Sequence, residues 1–107
     1  MNIDFNEVIA QMVGAVKGEV KNDWDLIKST VNDFLESRKE RLALLASLRL
    51  DNQINDSDFK QRLKNEELIL ESEFHAIAII TKVTAQNAAN AAIEVLNKAV
   101  SKAIGLV

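Results

Sequence analysis

The chain has no cysteine, no proline and no tyrosine, and only three glycines and one histidine in 107 residues. Without cysteine there is no disulfide, no thiol nucleophile and no thiolate metal site, a composition that suits a reducing compartment. Without proline nothing removes a helical backbone donor, so long helices are open to this chain. No window approaches the roughly 18 consecutive apolar residues of a spanning helix. The start, Met1-Asn2-Ile3-Asp4, lacks the basic segment and apolar core of a secretory signal. These absences lead us to expect a cytoplasmic protein. Glycine-rich phosphate loops are missing too. The net charge of −3 opposes general nucleic-acid binding, which draws on phosphate neutralisation. The basic residues Arg38, Lys39 and Arg41 alternate with Glu36 and Glu40 and so make a poor phosphate track.

What is present is periodicity. Phe5, Ile9, Val13, Val16, Val20, Trp24, Ile27, Val31 and Leu35, resuming at Leu42 and Leu45, recur at helical spacing. After a polar break the stripe restarts: Phe59, Leu63, Leu70, Phe74, Ile77, Thr81, Ala85, Ala88, Ala92, Leu96, Ala99 and Ala103. Ile9, Val20, Val31 and Leu42 keep an 11-residue step, as do Leu63, Phe74, Ala85 and Leu96, which suits straight or slightly right-handed rods. The pattern predicts an all-α, single helical-hairpin domain over 1–107. Its first helix would run from about 5 to 50, its turn from about 51 to 54 and its second helix from about 56 to 104, each rod roughly 70 Å long. A joint this short forces the rods antiparallel.

The ends carry matching signals. Asp4 with Glu7 three residues on forms a capping-box pattern, and Ile3 and Val8 are spaced as a hydrophobic staple. Asn55 is placed to cap the second helix, with Asp58 at its third position. Asn52 is a candidate left-handed terminator and Gly105 a candidate end for the last helix.

A fold near residue 53 sets positions whose numbers sum to about 107 opposite each other, which puts Arg41 beside Glu66. Gly14 and Gly18 then face Ala88 and Ala92, predicting close packing of the two helices there. Two helices bury only one seam, and the apolar surface here is wider. Phe5, Ile9, Val13, Val16, Ile77, Ile80 and Leu96 are therefore expected to form an oligomer interface, closing two hairpins into a four-helix bundle or larger assembly.

Catalytic signals are few. Six serines share one histidine, and no strained turn presents any of them. Glu71 lies one helical turn before His75, with Glu36 across from it, and doubling this set in a dimer resembles the ferritin-like bundles with a dimetal site. That resemblance would imply metal-dependent oxidase chemistry. The pattern departs at Ser72, where those bundles carry the glutamate of Glu-x-x-His.

The expected function is thus a non-enzymatic, self-assembling scaffold or adaptor without a cofactor. It would bind itself and, at its charged tip, another protein. The alternative is a peripheral membrane protein whose apolar open end, pairing the first 18 residues with the alanine-rich segment from Ala88 to Val107, lies on a bilayer.

Overall fold

Asp4 starts the first helix. Its carboxylate accepts from the backbone N–H groups of Asn6 and Glu7 at 3.1 and 3.3 Å, and α1 then runs Phe5–Val20. The computed structural model describes residues 3–105. Among these, three further α-helices follow: α2 (Trp24–Leu50), α3 (Asp56–His75) and α4 (Lys82–Ala103). A 3-10 turn, Lys21–Asp23, joins α1 to α2, and no described residue is in a strand.

Each anticipated rod is broken once. The stripe of residues 5–50 is interrupted at Lys21, whose φ of 61° and ψ of −116° end α1. The second stripe is interrupted between His75 and Lys82, where Thr81 caps α4 by accepting from the Thr84 N–H at 3.1 Å. The longest dimension is accordingly 40 Å, with 24 and 23 Å across, in place of rods near 70 Å.

The breaks let one chain cover its own stripes. Lys39 on α2 donates to the Asn6 side chain on α1, so residues almost equally far from the joint meet and the two helices run antiparallel. The ion pair between Arg38 and Glu73 (2.5 Å) and the tilted Phe34 and Phe74 rings, 6.3 Å between centroids, make α2 and α3 antiparallel as well. A six-residue link returns α4 alongside α3. α4 then packs on α1, the most extensive of the helix pairings.

The turn from α2 to α3 has the geometry anticipated for it. Asn52 sits at φ 59°, Gln53 N–H donates to Leu48 O at 2.8 Å, and Asn52 N–H donates to Arg49 O at 3.2 Å. These are the paired bonds of a Schellman terminus, with asparagine in the glycine position. Asn55 then accepts from Asp58 N–H at 2.7 Å and α3 begins.

One core runs through all four helices. Val8, Met12 and Val16 of α1, Val31, Leu35 and Leu42 of α2, Phe59, Leu63, Leu70 and Phe74 of α3, and Ala85, Ala88, Ala89, Ala92 and Leu96 of α4 are buried in it. Alanine on α4 is a packing device: a face without bulk allows the close approach of its neighbours.

Two changes test this account. Leu96 is wholly buried, so Leu96→Ala is expected to cost about 2–5 kcal/mol in denaturant unfolding. Lys21 holds a backbone region that favours glycine, so Lys21→Gly is expected to stabilise by about 1 kcal/mol, strain relief outweighing the added freedom of the unfolded chain. Denaturant unfolding reads both.

Candidate functional site

α2 outruns α1. The Asn6–Lys39 contact places the start of α1 beside Lys39, and α2 continues to Leu50. Beyond that point α2 keeps α3 as a neighbour and loses the cover of α1. A groove of about 340 Å³ opens there, lined by Arg41, Leu44, Leu45 and Leu48 from α2 and Arg62, Asn65 and Glu66 from α3. Leu44 is 61% exposed on its wall, large for an aliphatic side chain.

Glu66 is the unusual member. At 3% exposure it is the one buried charged side chain among the described residues. One carboxylate oxygen, Oε1, accepts from Arg41 Nε; the other, Oε2, is buried and has no hydrogen-bond partner. A buried carboxylate is costly unless paired, and an orphaned lone pair adds to that cost. The Arg41 guanidinium remains largely in solvent, and its pKa is raised first by the hydrogen bond to Glu66 and then by that residue's charge. The raised pKa keeps Arg41 charged throughout the physiological range. Arg62, on the same groove, is exposed and makes no ion pair among the described residues.

The spacing of the sequence set Arg41 beside Glu66, and they do meet. The burial of Glu66 was not anticipated. Its signal is the gap in the second stripe: Leu63 to Leu70 skips a position at which a core residue falls due, and Glu66 occupies it.

The other expected site residues are placed differently. Ile9, Val16, Ile80 and Leu96, anticipated as an oligomer interface, are buried in the chain's own core. Phe5, Val13 and Ile77 are half-buried and packed against the same core. Four helices in one chain cover the stripe that two helices would have left bare. Gly14 and Gly18 are exposed, and a Cβ built on either meets nothing within 4 Å. The face of α1 that enters the core is Val8, Met12, Val16 and Val20, and Gly14 lies on the far side of the helix from Met12. Ala88 and Ala92, expected opposite those glycines, are buried.

Glu36 and His75 are exposed and Glu71 is half-buried. Among the described residues no three His, Asp or Glu side chains gather into a metal-binding group. No described helix is long and apolar enough to cross a membrane. The surfaces of α1 and α4 that would have formed an apolar open end pack on one another, and Leu106 and Val107 of that segment lie outside the described residues. No protein-family model, curated protein or solved structure matches the chain.

The Arg41–Glu66 pair yields an ordered stability test. Arg41→Ala leaves the Glu66 carboxylate buried without a counter-charge and is expected to lower Tm. Glu66→Leu frees Arg41 to water and removes the orphaned oxygen, so its Tm is expected to match or exceed that of the parent. Thermal melts of the two variants, side by side, check the order.

Proposed function

We propose that the chain is a non-enzymatic adaptor that binds a segment of another protein in the groove between α2 and α3. The observation that supports this most directly is the groove itself, where Leu44 stands 61% exposed beside Leu45 and Leu48 and the Arg41–Glu66 pair forms part of the lining. An apolar side chain from the partner fills the space beside Leu44, Leu45 and Leu48. At the rim Arg41 and Arg62 outnumber the single carboxylate, so the groove carries a local excess of positive charge on a chain that is acidic overall. The fitting occupant is therefore a short segment in which an apolar residue adjoins an aspartate or glutamate. Guanidinium groups recognise such carboxylates by paired hydrogen bonds.

A displayed library of random peptides supplies the probe. Selection on the folded chain is expected to enrich peptides with an apolar residue beside an acidic one. Their affinity is expected to fall at least about 10-fold on Leu44→Asp, which puts a charge on the exposed part of the apolar wall, and on Arg62→Glu, which reverses a rim charge. Both residues are exposed, so the variants should melt near the parent. Enriched peptides that bind both variants as tightly as the parent would sink the proposal.

A further inference from the structure

The first apolar stripe keeps its helical phase straight through the joint between α1 and α2. Val13, Val16, Val20, Trp24, Ile27 and Val31 advance in steps of three and four across residues where the chain reverses. A hairpin does not require this continuity. A single unbroken helix does.

Lys21 is the one residue of the joint with a positive φ. Val20 (φ −79°, ψ −35°), Asp23 (−85°, −1°) and Trp24 (−55°, −46°) all have right-handed helical angles. Lys21 departs, at φ 61° and ψ −116°, a region that side-chain-bearing residues rarely adopt. Returning Lys21 to helical angles would merge α1 and α2 into one rod over 5–50, relieving the backbone strain at that residue. It would also lift Met12 and Val16 off the core and bare the alanine face of α4.

We infer that α1 exchanges between two copies of this chain, with Lys21 as the hinge. In the exchanged dimer each α1 extends from its own α2 and lies where the partner's α1 lies in the single chain. The occupant of the vacated face is thus a second copy, because only that α1 carries the complementary surface. Every helix contact is preserved across copies, the two strained joints become helix, and the arrangement closes on a two-fold axis. Association lowers translational freedom, so the dimer grows with concentration and the single chain prevails when dilute. This inference is independent of the groove between α2 and α3.

The test refolds the chain from denaturant across a concentration series and measures mass by light scattering. The parent is expected to give a dimer at the concentrated end. Lys21→Gly tolerates the bent joint and disfavours a helix interior, at two joints per dimer, so it is expected to weaken dimerisation by about 100-fold. A second arm uses Asn6→Cys/Lys39→Cys, whose thiols are the only ones in the chain. A short bis-maleimide should bridge them within one chain when dilute. In the dimer fraction it should link two chains, read as doubled mass on a denaturing gel. A parent that stays monomeric throughout, a dimer bridged only within its own chains, or a Lys21→Gly variant that dimerises as well as the parent would each overturn the inference. If the double-cysteine variant fails to fold, the parent and Lys21→Gly still decide it.

Discussion

The reversal at Lys21 is the constraint on which the rest of the structure depends. Without it α1 would lie end to end with α2 and could not reach α4 within one chain. Val8, Met12 and Val16 would then face water, and so would Ala85, Ala88, Ala89 and Ala92. Apolar burial is the main favourable term in folding, so the strain at one residue is small beside what it allows to be buried. The short reach of α1 has a second consequence. Because it begins beside Lys39, the last turns of α2 lack its cover, and Leu44 stands exposed over a groove.

Local signals were the legible part of this sequence. Asp4, Asn55, Asn52 and Gly105 each act at a helix terminus as their side chains or φ preferences dictate. Those effects reach only a few residues, so neighbouring sequence is enough to read them. The α2–α3 register was legible for a related reason. A short turn fixes which residues oppose each other, and the Arg41–Glu66 and Phe34–Phe74 pairs follow from it.

The breaks were hidden because nothing in the local pattern marks them. Lys21 is an ordinary helix former, and the stripe stays in phase on both sides of it. Thr81 falls on the apolar stripe, where a threonine reads as tolerated, although it caps α4. In both places tertiary burial overrides a continuous helical pattern. The misplacement of Gly14 and Gly18 has the same origin: small residues suggested a close helix contact, but the bulkier face of α1 buries more apolar area and is the one turned inward.

Glu66 shows how a polar residue in a core position divides the molecule's surface into unequal parts. Its carboxylate is buried, and Arg41 compensates only one of its oxygens. Replacing such a pair by hydrophobic residues is often neutral or stabilising, so stability alone gives no reason for a glutamate here. In the proposed adaptor the pair would serve recognition, since it holds the exposed Arg41 guanidinium on the groove, where a partner's carboxylate can reach it. The groove is built from α2 and α3, whereas the hinge lies at the far end of α2, at residues 21–23. Movement of α1 therefore need not alter the groove, and a dimer formed by exchange would carry two copies of it. Two such sites on one assembly would bind a divalent target more tightly than either alone, which would give the proposed exchange a physical use without any new contact.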